Sequence, residues 1–155
     1  MKLHRASLRD VQHILSVTGH PEVKGLIQSP FPLTAGHVAR ALTRVRIYVY
    51  DGGVIAFEDK GMNIYEGHVA AVPGFRGRWL DEACRGALDD MFSAPDVLAR
   101  AVEARRPKGR PDVGMLLRRL GFERHSTERG VVRYMLTRDR WVEIEAASLC
   151  AAGVA

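Results

Sequence analysis

The chain has 155 residues, 46% of them hydrophobic and 26% charged, which suits one globular domain with a sizeable core. It has no apolar run long enough to cross a bilayer and no signal-peptide core, and its cysteines, Cys84 and Cys150, match neither a disulfide framework nor a metal motif. We therefore expect a cytoplasmic protein without membrane contact or bound metal. Lys and Arg outnumber Asp and Glu by 23 to 18, so the formal charge of +5 favours an anionic partner, either a nucleotide cofactor or a nucleic acid.

The N-terminal part is predicted to contain a short strand, residues 2–6, and two short helices. Ser7 and Thr34 are the expected N-caps of these helices. The first helix has the apolar residues Leu8, Val11, Ile14 and Leu15, and the second has Val38, Ala41, Leu42 and Val45. Between them, residues 18–34 are rich in Gly, Pro and Ser and predict a long loop with one helical turn, the kind of loop that often carries function.

A hairpin and a central strand are predicted next. Residues 47–50 and 54–58 are strand-like, and Asp51-Gly52-Gly53 between them is a strong turn signal. A turn at residues 59–61 leads into a third antiparallel strand, which is rich in β-branched and aromatic residues and stops at Pro73-Gly74. A long helix to Phe92 follows, with the apolar face Leu80, Cys84, Ala87, Leu88 and Met91.

The C-terminal part is predicted to begin with a buried strand at residues 97–104, parallel to the central strand because a helix separates the two. Residues 105–110 form a dense basic loop, and Pro111 starts a helix that ends at Gly121. A final hairpin then pairs two segments, residues 122–125 and 131–137. The last helix-prone stretch, residues 139–155, is a packed helix, an oligomer contact or a frayed tail.

The basic turn after the central strand is the first candidate site. Gly77 allows the backbone to approach a ligand closely, and the helix that follows offers unpaired N–H groups and a partial positive charge. With Arg76 and Arg78 on either side, this junction is a candidate phosphate seat. The alternative is an ordinary strand-to-helix connection with two solvated arginines.

Two short motifs stand out in this order of elements: Ala-Ala-Val-Pro-Gly-Phe-Arg-Gly at residues 70–77 and Leu-Arg-Arg-Leu-Gly-Phe at 117–122. Together with the order of elements, they resemble the GNAT superfamily of acyl-CoA-dependent N-acyltransferases over residues 2–138. The sequence at residues 66–69, 76–79 and 91–92 is most similar to that of divergent GNAT-like proteins of tailed bacteriophages and prophages. The resemblance implies an α+β, three-layer fold: a mixed, mostly antiparallel sheet of about six or seven strands, splayed between strands 4 and 5 and flanked by about four helices. It also implies a single domain over residues 1–138 with a helical tail at 139–155.

The resemblance further implies that an acetyl group passes from acetyl-CoA to a primary amine by direct attack, the acceptor being a small molecule or a protein. Acetyl-CoA would lie between strands 4 and 5, with its pyrophosphate on the basic turn. The implied cofactor-binding residues are Ala70, Ala71, Val72, Phe75, Arg76, Gly77, Arg78, Trp79 and Arg106. Arg106 belongs to the basic run 105–110, which would hold the 3′-phosphate of the cofactor or remain a solvated loop.

His68 and Glu66 are the candidate catalytic bases. They stand two residues apart on the central strand, so both point to the same face. Histidine changes charge near neutral pH, which suits the removal of a proton from an amine. The alternative is that both side chains simply meet solvent or a neighbouring strand.

The sequence departs from the GNAT pattern at the turn, at a frequent tyrosine, and after the fifth strand, where the common asparagine is absent and the basic residues 105–110 stand instead. Trp79 replaces a glycine of the usual turn, Asp81 adds a carboxylate near the anion seat, and Leu117 replaces a tyrosine that often reprotonates the CoA thiolate. These changes favour a second function: a catalytically silent binding protein, such as a phage accessory or virion-associated protein, with a homodimer through the C-terminal tail as one form. A nucleic-acid-binding protein is the third alternative and rests on the basic charge alone.

Overall fold

A computed structural model describes residues 2–25 and 32–153, so residues 26–31 of the predicted N-terminal loop lie outside the described residues. The strands are β1 (His4–Arg5), β2 (Val45–Tyr50), β3 (Gly53–Asp59), β4 (Ile64–Ala71), β5 (Ala101–Arg106), β6 (Glu123–Glu128) and β7 (Val131–Thr137). The helices are α1 (Val11–Gly19), α2 (Pro21–Lys24), α3 (Ala35–Ala41), α4 (Arg78–Ser93), α5 (Pro111–Arg119) and α6 (Arg138–Ala151). Two 3-10 turns, Leu8–Asp10 and Pro73–Phe75, precede α1 and α4.

The strands form a seven-stranded mixed sheet in the order β1-β2-β3-β4-β5-β7-β6. The one parallel ladder, between β4 and β5, runs from the pair Ile64–Ala101 to the pair Glu66–Glu103 among the described residues. Beyond this last pair, β4 continues to Ala71 and β5 to Arg106. By its contacts the chain divides into two compact units, Met1–Asp59 with Gly67–Leu88 and Lys60–Glu66 with Asp89–Ala155.

Thr34 caps α3 as predicted, whereas Ser7 caps the 3-10 turn Leu8–Asp10 and α1 begins only at Val11. The Ser7 hydroxyl accepts from the Arg9 N–H, and the Thr34 hydroxyl accepts from the His37 N–H. The core of this unit contains Ile14, Val17, Val38, Ile47, Val49 and Val54. The predicted positions of two residues on apolar helix faces were wrong. Leu8 is 70% exposed because it lies in the 3-10 turn before α1, and Val45 belongs to β2 instead of the second helix.

The β2–β3 hairpin is confirmed, and its turn also supports a distant part of the first unit. Tyr50 pairs with Gly53, which leaves Asp51 and Gly52 as a two-residue turn. The Gly52 carbonyl accepts a hydrogen bond of 2.9 Å from the Val72 N–H. A Cβ atom on Gly52 would overlap the ring of Phe75, so only glycine lets the hairpin approach this closely.

The fifth strand was predicted too early in the chain. It begins at Ala101 because the Val97 N–H bonds to the Ala94 carbonyl and Leu98 adopts a φ of 43°, so this stretch is a turn. At its other end, β5 continues through Arg105 and Arg106, which pair with Arg133 and Val132 of β7. The predicted basic loop 105–110 is therefore confined to residues 107–110.

The rest of the second unit follows the predicted order. Pro111 stands in the first turn of α5, and Gly121, with a φ of +91°, follows the helix as a left-handed stop. β6 and β7 form the final antiparallel hairpin. The C-terminal helix α6 packs within this unit, since Trp141 is 3% exposed and stacks on Phe92 with 6.0 Å between ring centroids. None of the described helices has the length and apolar character needed to span a membrane.

Candidate active site

The turn that joins β4 to α4 is held in place by the hairpin of β2 and β3. The Tyr50 hydroxyl donates a hydrogen bond of 3.2 Å to the Phe75 carbonyl, and the Arg76 Nε donates one of 3.1 Å to the Ala71 carbonyl. Tyr50 is only 2% exposed, and burial raises its pKa, so the phenol stays protonated as a donor at neutral pH. The turn therefore has a fixed backbone before any ligand arrives.

The start of α4 offers backbone donors. Among the described residues, the N–H groups of Arg78, Trp79 and Leu80 have no backbone carbonyl as acceptor, and the first N–H of α4 to bond backward is that of Asp81, to the Gly77 carbonyl at 3.0 Å. Gly77 has a φ of +67°, and apart from its chain neighbours no described residue has an atom within 4 Å of the position a Cβ would take there. This combination of a left-handed glycine, open space and first-turn N–H groups suits an anion such as a phosphate.

The two arginines of the turn contact acidic residues. Arg76 Nη1 lies 3.7 Å from Glu22 Oε2, and Arg78 Nε lies 2.6 Å from Glu82 Oε1. The hydrogen bond with Glu82 raises the pKa of Arg78, so this guanidinium is charged at any working pH. The Arg78 side chain is 91% exposed, which leaves it free to exchange Glu82 for a bound phosphate.

Cys84 of α4 is not a nucleophile. Its side chain is buried, as the apolar face of the predicted helix required. Burial, helped by the nearby Asp81 carboxylate, raises the pKa of the Cys84 thiol to about 12. The thiolate is therefore negligible at neutral pH, and a covalent acyl-cysteine is not expected here.

His68 and Glu58 form a pair within the first unit. The His68 Nε2 lies 3.8 Å from the Glu58 Oε2, and the two side chains are 54% and 50% exposed. This distance allows charge attraction and also admits a bridging water. The imidazole is accessible to a substrate, which a general base requires.

Glu66, the other predicted base, has a different environment within the second unit. Its side chain is 5% exposed, with the Arg105 Nε 2.6 Å from Oε1 and the Lys60 Nζ 3.1 Å from Oε2. A buried carboxylate that bridges two cations is expected to stay ionised and to hold the strand in place. Proton transfer to Glu66 would weaken both charged contacts.

Two other residues named from the sequence lie in the second unit. Leu117, which occupies the position of the frequent tyrosine, is 6% exposed in the core and has no group that could protonate a thiolate. Arg106 lies at the end of β5 and lines a cavity together with Arg118 and Arg124.

Sequence reasoning missed Tyr50 and Gly52, which position the turn. The Asp-Gly signal located the hairpin correctly. No local pattern, however, connects residues 50–52 with residues 72–75 of the turn, so the contact could be found only from the fold.

No protein-family model and no curated protein matches this sequence. Solved structures do match the fold. The spermidine N-acetyltransferase SpeG from Vibrio cholerae, in complex with CoA and spermine, is 12% identical, with a TM-score of 0.74 over 91% of this chain and 97% of that chain. The ribosomal-protein-alanine N-acetyltransferase from Brucella melitensis is 13% identical, also with a TM-score of 0.74, over 88% of this chain and 99% of that chain.

At such low identity the likeness concerns the fold alone. It agrees with the sheet order and with the parallel pair β4 and β5. The chain therefore has the fold of the GNAT N-acetyltransferases.

Proposed function

We propose that this protein is a GNAT N-acyltransferase that moves an acetyl group from acetyl-CoA to a primary amine. The observation that carries the proposal is the turn between β4 and α4, where three N–H groups without a backbone acceptor among the described residues follow a left-handed glycine. The SpeG structure of the same fold contains CoA and spermine, which supports an acyl-CoA donor and a small-amine acceptor.

The donor would bind along the end of β4 and the turn. Phe75, Arg76, Gly77, Arg78 and Trp79 would surround the pyrophosphate, with the N–H groups as its main ligands. The end of β4 at Ala70, Ala71 and Val72 would hold the pantetheine. The Val72 N–H already bonds to the Gly52 carbonyl, and the Val72 carbonyl already accepts from the Phe75 N–H at 3.0 Å, so Val72 would offer the cofactor only the second lone pair of that carbonyl.

The reaction needs one proton transfer. The neutral amine attacks the thioester carbonyl, the new C–N bond forms, the C–S bond breaks, and CoA leaves as a thiolate. His68 would take the excess proton from the amine, directly or through a water, because its imidazole is exposed and a carboxylate stands beside it. Glu66 is the weaker candidate because Arg105 and Lys60 hold it.

A catalytically silent GNAT-like binding protein is the second candidate, and Leu117 favours it. A buried leucine at this position leaves the CoA thiolate without the usual acid, so the thiolate would have to take its proton from water. A phage accessory role is one form of this candidate.

Calorimetric titration with acetyl-CoA at low and physiological salt tests the proposal. We expect micromolar binding to the unmodified protein, and binding more than tenfold weaker to the double variant Arg76→Ala/Arg78→Ala. The matched control is Arg9→Ala/Arg44→Ala, which removes the same charge from exposed positions of the first unit. Equal affinity of the test and control variants for acetyl-CoA would show that Arg76 and Arg78 do not form a phosphate-binding site. If the unmodified protein shows neither heat nor thermal stabilisation, the enzyme proposal is wrong.

A further inference from the structure

The cavity lined by Arg106, Arg118 and Arg124 lies on one face of the strands β5, β7 and β6, all within the second unit. Its volume is about 570 Å³. In the antiparallel ladders Arg106 pairs with Val132, and Arg124 pairs with Tyr134. Residues directly opposite in a ladder project from the same face, and so do residues two apart on one strand. The register therefore brings Arg106, Arg124 and Tyr134 to one surface.

Helix α5 covers this surface and adds a third arginine. Arg118, in the last turn of α5, lines the cavity. The helix can lie this close because of Gly114, where a Cβ atom would stand 2.9 Å from the Arg106 Cδ and 3.2 Å from the Tyr134 hydroxyl oxygen. The cavity is thus a fixed gap between a helix and a sheet.

The charge of the cavity is positive on balance. Among the described residues that line it, Glu123 is the one acid, and its carboxylate lies 3.2 Å from the Arg140 Nε. The Arg124 Nη2 donates a hydrogen bond to the neutral Thr127 hydroxyl, which leaves the charge of Arg124 uncompensated by this contact. The three arginines of the cavity therefore attract an anion.

Arg106 gives the strongest indication of a ligand. Its Nε is buried and has no hydrogen-bond partner within the described part of the chain. Its neighbour Arg105 donates to Glu66, and Arg110 donates to Asp112 through two nitrogens. A buried donor without an acceptor is rare in folded proteins, and a donor on a charged group is the costliest kind. A small rotation of the guanidinium would turn this N–H toward an oxyanion in the cavity, which would then supply the missing acceptor.

We propose that this cavity binds a small phosphorylated molecule, with its phosphate group held by Arg106, Arg118 and Arg124. Three guanidinium groups match the double charge and the several acceptor oxygens of a phosphate monoester. Phe122 and Tyr134, which also line the cavity, would contact the organic part of the ligand. This site is separate in sequence from the turn at residues 72–78 and does not depend on acetyl-CoA binding there.

The test follows the arginine Nε–H and backbone amide signals of the full chain by NMR during titration with sodium phosphate and with phenyl phosphate. Ionic strength is kept constant with chloride, and Arg106→Lys identifies the Arg106 signal by its loss. We expect the Arg106 Nε–H signal to shift and saturate with both phosphates, at lower concentration for phenyl phosphate.

The double variant Arg118→Ala/Arg124→Ala removes two exposed side chains, so its backbone spectrum should remain that of the folded protein. We expect it to weaken phosphate binding more than tenfold, whereas Arg9→Ala/Arg44→Ala should leave binding unchanged. Equal weakening in both variants would show a general charge effect and overturn the proposal.

Two further results would also overturn it. One is a phosphate response confined to the amides of residues 77–80, which would place the anion on the turn alone. The other is an Arg106 signal that responds to acetyl-CoA and ignores phenyl phosphate, which would assign Arg106 to the cofactor. Benzoate serves as the carboxylate comparison, and binding of benzoate as tight as that of phenyl phosphate would disprove the assignment to a phosphate group.

Discussion

His68 owes its proposed role to its exposure and to Glu58, which lies 3.8 Å away. We expect His68→Ala to lower acetyl transfer by a factor of about 10²–10⁴, the usual contribution of a general base. The affinity for acetyl-CoA should stay the same, because the imidazole does not belong to the phosphate seat. Steady-state turnover and calorimetry measure the two effects separately.

The matched control for His68 is His125→Ala, which removes another exposed histidine, from β6. This variant should keep full activity. Full activity of His68→Ala at neutral pH would instead eliminate His68 as the base.

Single residues could be predicted where a local pattern determines their environment. The helical spacing placed Cys84 on a buried face, and the structure confirms its burial. The strand period put Glu66 and His68 on one face, but it could not reveal their partners. Arg105 is separated from Glu66 by 39 positions, so the ion pair that holds this carboxylate depends on the parallel pairing of β4 with β5.

At the scale of elements, the hairpin turn of β2 and β3 determines the backbone of the candidate site. Gly52→Ala would drive a methyl group into the Phe75 side chain near its Cβ and Cγ atoms. Overpacking of this kind costs about 1–3 kcal/mol. We expect the free energy of unfolding, measured with urea, to fall by this amount and the affinity for acetyl-CoA to fall with it.

Gly74→Ala is the matched control for this substitution. Gly74 lies in the 3-10 turn after β4, and beyond its chain neighbours the described part of the chain has no atom within 4 Å of its Cβ position. Its effect on unfolding should be within about 0.5 kcal/mol. If Gly52→Ala and Gly74→Ala proved equally stable and bound acetyl-CoA equally well, the hairpin would have no part in holding the turn.

The start of α5 gives a prediction about pH. Two hydrogen bonds from the Arg110 guanidinium, of 3.0 and 2.8 Å, hold the pKa of Asp112 below its ordinary value of 3.8. A carboxyl whose pKa is lowered by folding stabilises the protein above the unfolded-state pKa, and this contribution is lost as the pH falls through the folded-state pKa. Asp112 is 64% exposed, so the contribution should be below about 1 kcal/mol.

Urea unfolding of Asp112→Asn at neutral pH and at a pH well below 3.8 checks this prediction. The variant should be less stable than the unmodified protein at neutral pH and equally stable in acid. Asp139→Asn, which alters a first-turn acid of α6, is the comparison for the helix dipole alone. A stability difference for Asp112→Asn that persists in acid would contradict the role of the ion pair.

Elements were predictable where caps and turns mark their ends, and less so where charge and β-propensity conflict. Thr34 and Pro111 correctly located the starts of α3 and α5. For β5, the β-branched Val97 favoured a strand that the left-handed Leu98 prevents. Arg105 and Arg106 looked like loop residues but lie within β5. Their charges are accommodated there, since Arg105 forms an ion pair with Glu66 and Arg106 lines a cavity.

At the scale of the whole molecule, the fold was predictable because the order of elements and the two motifs at residues 70–77 and 117–122 together resemble one superfamily. The parallel relation of β4 and β5 followed from the helix between them and is confirmed. The division of the contacts into two units was not foreseen. It cuts through β4 and α4, and no composition shift or linker marks either place in the sequence.

The two outermost strands of the sheet limit how the protein can associate with itself. β1 has only two residues, and all six residues of β6 are exposed and polar, with a bulge between Arg124 and Ser126. Short, charged or bulged edge strands resist the addition of another strand, which is the usual first step of fibrous aggregation. A second copy of the chain would therefore have to bind through a surface other than a sheet edge.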